Sequence, residues 1–211
     1  CIRDSSLSTG NDKSQSYISV ATTNATGIMP NNDYDRYNFS FRNTTNFLNN
    51  KFILDTSANY IIQNDKNMVS QGQYFNPLTS LYLFPRGEDF SDVAVYERYD
   101  DLSGVNTQYW PYGDLGGVSS QNPYWIMNRM NRENDRRRYK LAASLQYNII
   151  EGLNVQGRVS IDNTESKYTE KFHAGTVGNF AGPKGRYKEE NRLDRHCLLY
   201  TSPSPRDLST S

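Results

Sequence analysis

The sequence predicts an all-β fold: antiparallel up-and-down strands of a transmembrane β-barrel, here an open partial barrel of about five or six strands. Three observations predict it. Apolar and polar residues alternate with period two in five stretches. The longer stretches carry aromatic rings at both ends of the apolar row. The connections between stretches alternate short and long.

In chain order, Ile18 and Val20 alternate with Tyr17, Ser19 and Ala21. The clearest stretch follows at 36–47, where Tyr37, Phe39, Phe41, Thr45 and Phe47 alternate with Arg36, Asn38, Ser40, Arg42, Thr44 and Asn46. Phe52, Leu54, Ala58, Tyr60 and Ile62 then alternate with Asp55, Ser57 and Asn59. Tyr139, Leu141, Ala143, Leu145 and Tyr147 alternate with Arg138, Lys140, Ser144, Gln146 and Asn148. Leu153, Val155, Gly157, Val159 and Ile161 alternate with Asn154, Gln156, Arg158, Ser160 and Asp162. Successive side chains of a strand point to opposite faces, so each stretch presents one apolar and one polar face.

A soluble sandwich also alternates; length and ring placement separate the two readings. Soluble strands average about 5–6 residues, whereas a tilted membrane-crossing strand needs about 9–11. Tyr37 and Phe47 end one apolar row, separated by roughly 25 Å at the usual rise and tilt, the height of a barrel's apolar band. Phe52 and Tyr60, and Tyr139 and Tyr147, bracket their rows likewise. The segments 48–51 and 149–152 read as tight turns, 24–33 as a medium loop and 63–137 as a long extracellular loop.

The 211 residues carry a formal net charge of +0, which provides no field to attract nucleic acid. No apolar run approaches the eighteen or so residues of a membrane helix. Sixteen Tyr suit aromatic girdles and loops. Cys1 and Cys197 have no partner spacing for a metal site or disulfide framework. Both ends read as foreign to a natural exported protein. The first residue is Cys with no signal peptide before it, and residues 196–211 resemble a translated sequencing-adapter tail, so they are left out of the predicted fold.

Several segments resemble the SusC/RagA family of TonB-dependent outer-membrane transporters: Gly27-Ile-Met-Pro30 through Tyr37-Asn-Phe-Ser-Phe, Asn76-Pro77-Leu78, Phe84-Pro85-Arg86, Asn122-Pro123-Tyr124-Trp125, and the Leu145–Arg158 hairpin followed by Asp162. The resemblance implies a middle part of a 22-stranded barrel in the outer membrane of a Gram-negative, Bacteroidota-like cell. It also implies import of oligosaccharides or peptides, a SusD-like surface lipoprotein as partner, and force relayed by TonB through an N-terminal region outside this chain. On this reading residues 1–13 are a fragment edge or loop, 14–195 the partial barrel, and 196–211 a non-native tail. No enzyme activity, cofactor or nucleic-acid partner is expected; outer-membrane lipid is. A passive porin and a secreted β-rich binding module are the alternatives.

The one functional lead is aromatic. Rings crowd 74–125, and Tyr109, Trp110, Tyr112, Tyr124 and Trp125 are the predicted ligand-binding residues. Flat faces of Trp and Tyr cover the apolar face of a sugar ring, while neighbouring Asn, Asp and Arg hydrogen-bond its hydroxyls. The competing reading is that these rings pack the loop against itself or its lid. The basic run Arg129–Lys140 reads as a solvated entry into a strand. Glu88, Asp89 and Asp92 lack calcium-loop spacing, and His173 and His196 stand alone.

Overall fold

The computed structural model describes residues 1–113, 120–150 and 152–205. Seven strands form one sheet: β1 (Ile2–Gly10), β2 (Ser14–Thr26), β3 (Asp33–Phe47), β4 (Phe52–Lys66), β7 (Met130–Ile150), β8 (Leu153–Phe172) and β9 (Arg186–Pro205). The order is β1-β2-β3-β4-β7-β8-β9, and every neighbouring pair is antiparallel. Between β4 and β7 the chain makes α1 (Pro77–Leu83), a 3₁₀ turn (Phe90–Ala94), the small hairpin β5 (Glu97–Asp100) and β6 (Val105–Gln108), and α2 (Pro123–Arg129).

Register brings the alternating stretches onto common faces. Ile18, Phe41, Ala58, Leu141 and Ile161 form one continuous row, as do Val20, Phe39, Tyr60 and Tyr139. Tyr37, Tyr60 and Tyr139 stand at one end of this face. Phe47, Phe52 and Tyr147 stand at the other, where the Phe52 and Tyr147 rings stack at 4.6 Å. Among the described residues nothing covers the band between them: Phe39 is 43% exposed, Phe41 41%, and Leu141 and Leu145 47% each. The opposite face carries rows such as Ser19, Ser40, Asn59, Lys140 and Asp162.

Short connections at 11–13, at 48–51 and between Ile150 and Leu153 lie along one edge; 27–32, 67–129 and 173–185 lie along the other. Local chemistry sets the turns. Asn11 Oδ1 accepts bonds from the Lys13 and Ser14 amides at 2.9 Å, an Asx turn. Leu48, Asn49 and Asn50 all take positive φ, a region that Asn tolerates better than most side chains.

Three features differ from expectation. The sheet has seven strands because residues 2–10, expected as an edge or loop, pair with β2, and β9 pairs with the whole of β8. Residues 196–205 of the expected tail therefore continue a strand; residues 206–211 lie outside the described residues. β1 carries no apolar row, its outward positions being Arg3, Ser5, Leu7 and Thr9; on β9 Cys197 and Leu199 continue the outward row of Ile161 and Val159, but Leu198 and Tyr200 put apolar groups on the other face as well. Backbone ladders form without alternation, so periodicity alone cannot find such strands. Third, the expected loop 63–137 begins later and ends earlier, because β4 runs to Lys66 and β7 starts at Met130.

The insertion 67–129 has a small core of its own. Trp125, Ile126 and Met130 pack with Phe172 and Ala181 from the end of β8 and the β8–β9 connection, flanked by Phe75, Tyr96 and Phe180. Asn67, at φ 50°, fastens its start. Its amide donates to the Arg132 carbonyl at 2.7 Å, its Oδ1 accepts from the Arg132 amide at 2.8 Å, and its Nδ2 donates to the Asn31 carbonyl at 3.1 Å. Arg132 reaches back over the same segment, donating to the carbonyls of Met68 and Phe75 at 3.3 Å and to Ser70.

Candidate functional site

Two Asn-Pro dipeptides start the two helices that mount the aromatic residues. Asn76 Oδ1 accepts from the Leu78 amide at 3.0 Å, and Asn122 Oδ1 from the Tyr124 amide at 2.9 Å; the proline supplies φ suited to the first helical position. Asn122, 1% exposed, then joins the insertion together. Its amide donates to Gln108 Oε1 at 2.9 Å, and its Nδ2 donates to the carbonyls of Val93 at 2.9 Å and Tyr109 at 3.1 Å. Gln121 does the same on the other side, its amide donating to Ser80 Oγ at 3.1 Å and its Nε2 to the Tyr74 carbonyl at 2.7 Å. Gly175, at φ 83°, lets the β8–β9 connection touch the hairpin: a Cβ there would sit 2.2 Å from the Asn106 carbonyl oxygen.

The rings divide into four groups, one of which, Phe75 and Phe180 with Tyr74 and Phe172, lies against the insertion's core. Trp110 and Tyr112 meet edge to face at 5.2 Å, Tyr112 meets Phe84 at 5.0 Å, and Phe84 meets Phe90 at 5.4 Å. Trp110 Nε1 donates to Ser120 Oγ at 2.9 Å, which fixes the indole without burying it. Tyr96 stacks on Tyr124 at 6.4 Å and meets Trp125 edge-on at 6.5 Å. Tyr109 stands apart, with the Arg98 guanidinium 3.4 Å above its ring centroid, a cation–π contact.

The five predicted ligand-binding residues therefore do not form one surface. Trp110 and Tyr112 share a half-buried cluster, and Tyr109 and Tyr124 are half-buried elsewhere. Trp125 is 1% exposed and packs the core of the insertion, so it offers no ring face to a solute. Phe90 completes the first cluster although only Phe84, Trp110 and Tyr112 stood out in the sequence; the Asp89 cap that starts its turn was the available signal. The Arg98–Tyr109 stack and the Glu97–Arg129 fork left no mark in the sequence, because both join residues distant in the chain.

Charge surrounds the first cluster unevenly. Burial, then Glu88 and Asp92, push the Tyr112 phenol above its usual range. Hydrogen bonds from Ser91 hold the Asp89 carboxyl down, and those from Ser103 and Leu102 do so for Asp100. These acidic groups cap turns. Among the described residues no group of three or more His, Cys, Asp or Glu is placed to hold a metal ion.

The polar face of the sheet is the second candidate surface. On β3, β4, β7 and β8 it carries seven cations and four carboxylates: Arg36, Arg42, Arg132, Arg136, Arg138, Lys140 and Arg158 against Asp55, Asp65, Asp162 and Glu170. Arg42 holds Asp55 at 2.6 Å and Arg138 holds Asp162 at 2.5 Å. Arg186 lies 3.1 Å from Glu170, an ion contact without hydrogen-bond alignment. Asp65 accepts from Asn134 at 3.0 Å. A depression of about 580 Å³ opens on this face, lined in part by Arg42, Asp55, Lys140, Ser144, Gln146 and Arg158.

An antiparallel up-and-down sheet, polar on one face and carrying an exposed apolar band on the other, is a partial β-barrel wall. Comparison with solved structures gives the same architecture. The chain is similar to the RagAB peptide importer in its closed-closed state (TM-score 0.65, 15% identity, 96% of this chain and 21% of that one) and in its open-open state (TM-score 0.62, 15% identity, 96% and 21%). A further structure of the RagAB peptide transporter aligns with TM-score 0.58 and 13% identity over 95% of this chain and 22% of that one. The chain thus spans about a fifth of the length of these neighbours. No family profile matches it, and no curated protein matches it.

Proposed function

We propose that this chain forms part of the wall of a TonB-dependent outer-membrane importer of the SusC/RagA type, which takes up oligosaccharides or peptides together with a SusD-like lipoprotein. The observation that carries this reading is the apolar band, exposed across five strands and bracketed by Tyr37, Tyr60 and Tyr139 at one end and Phe47, Phe52 and Tyr147 at the other. Water does not tolerate a continuous surface of this kind on a soluble monomer, whereas lipid solvates it. A secreted binding module would bury those rows between two sheets, and among the described residues no second sheet covers them. Likeness to the RagAB importer across nearly the whole chain supports the transporter class.

In this reading the wall performs no covalent chemistry. The edge with the short turns faces the periplasm, and the insertion 67–129 stands outside the cell with the Trp110–Tyr112–Phe84–Phe90 cluster as its ligand-facing surface. The test has two arms on the intact protein carrying this chain. It is expected in the outer-membrane fraction with heat-modifiable gel mobility, and its ligand uptake is expected to stop when TonB is removed. Uptake that persists without TonB would make it a passive channel, and recovery in the secreted fraction would end the membrane reading.

A further inference from the structure

We infer that the polar face of the sheet is a track for a peptide carrying several carboxylates; this rests on the importer reading and names its cargo. Of the seven cations on β3, β4, β7 and β8, Arg42 and Arg138 are held by carboxylates and Arg132 is tied to the insertion. Among the described residues Arg36, Lys140 and Arg158 form no ion pair, although Lys140 faces Asp162 across the strands and acts on its carboxyl from a distance, and Arg136 has only the Ser166 hydroxyl, at 3.4 Å. The surplus is therefore positive, on a chain whose formal net charge is +0.

These four are spread along the strands. Arg36 and Arg136 share the row through Gln63 nearest the insertion. Lys140 lies four residues further along β7, and Arg158 pairs with Ser144, four residues beyond that. At about 3.3 Å per residue the three levels are roughly 13 Å apart. Cations repeated from the long-loop edge into the other half of the wall give an anion successive weak sites, as conduction requires. Lys140 and Arg158 meet in one depression, where the single carboxylate, Asp55, is held by Arg42, and where Gln146, Gln156, Ser57 and Ser160 offer amide and hydroxyl groups that match peptide bonds. Among the described residues no aromatic ring lines that depression, so they provide no flat platform of the kind a sugar ring uses. That favours an acidic peptide over an acidic glycan.

The intact protein in detergent is titrated at low salt with hexaglutamate, hexaglutamine and hexagalacturonate, as wild type and as Lys140→Gln/Arg158→Gln. Wild type is expected to prefer hexaglutamate over hexaglutamine, with affinity falling as salt rises. The double variant is expected to lose roughly fivefold to tenfold for hexaglutamate and nothing for hexaglutamine. The charge-keeping pair Lys140→Arg/Arg158→Lys should restore binding. Equal binding of the two peptides by wild type, or unchanged hexaglutamate affinity in the double variant, overturns the inference; tighter binding of hexagalacturonate overturns the choice of peptide. Should the double variant fail the heat-modifiability check, Arg36→Gln/Arg136→Gln tests the same track at its open end. A protein located in the outer membrane, with TonB-dependent uptake but no glutamate preference, sinks this inference alone. One lacking that location or dependence sinks the importer reading.

Discussion

Arg129 and Glu97 form a two-bond fork: Nε donates to Oε2 and Nη2 to Oε1, both at 2.9 Å. The pair joins the end of α2 to the first residue of β5, and both side chains are less than one-third exposed. It is the charged fastening between the hairpin and the part of the insertion that packs on the wall. Glu97→Gln should loosen the hairpin by about 1 kcal/mol while leaving the sheet intact. Limited trypsin digestion of the intact protein, followed at Arg98, is expected to speed up about fivefold; an unchanged rate would assign the hairpin's position to its other contacts.

The two faces of the wall should respond differently to charge. Phe41→Arg or Leu145→Arg places a guanidinium in the apolar band and should cost about 2–4 kcal/mol. Ser40→Arg, one residue from Phe41 and on the polar face, should cost much less. Ser144 is a poor control, because it is only 9% exposed between its neighbours. Urea titration in detergent, read by heat-modifiable mobility, measures the difference. Equal losses at Phe41 and Ser40 would mean that neither face meets lipid.

The two tryptophans should separate stability from uptake. Trp125→Ala empties a site at the centre of the insertion's core and is expected to destabilise it by about 3–5 kcal/mol. Trp110→Ala removes a half-buried ring from the cluster and should lower ligand uptake with surface expression unchanged. Since the chain has only these two Trp, their emission reports both sites: Trp125 blue-shifted and shielded from iodide, Trp110 quenched. Normal uptake by a well-expressed Trp110→Ala protein would leave that ring a packing role.

Alkaline pH should act on the Trp110 cluster through Tyr112. Its phenol is raised above its usual range, first by burial and then by Glu88 and Asp92, so the folded cluster favours the neutral form. A raised folded-state value means that the contribution is complete below the unfolded value near 10 and is lost as pH climbs above it. The emission of Trp110, 5.2 Å away, is expected to change in that range and to stop doing so in Tyr112→Phe. A persistent change in the variant would move the titration to another group.

Much of the wall was legible in the sequence because its cause is local. Side chains alternate along a strand whatever surrounds it, so Tyr37–Phe47 and Tyr139–Tyr147 announced their apolar rows, their rings and their lengths. The tight turn at 48–51 rests on neighbouring Asn residues and is read from them; the Asn11 turn and the two Asn-Pro helix starts have equally local causes but are not read as such from the sequence. The sequence by itself thus determined the strand faces, the up-and-down connectivity and the place of the long insertion. The tertiary structure decided which strands flank the sheet, since β1 and β9 are recruited by backbone bonds that no side-chain pattern encodes. It also decided which rings are core and which are surface. Tyr124 and Trp125 are adjacent in sequence, yet the turn of α2 points them differently, leaving one half-buried and the other sealed under Met130 and Phe172. Burial depends on what arrives from the rest of the chain, and composition carries no record of that.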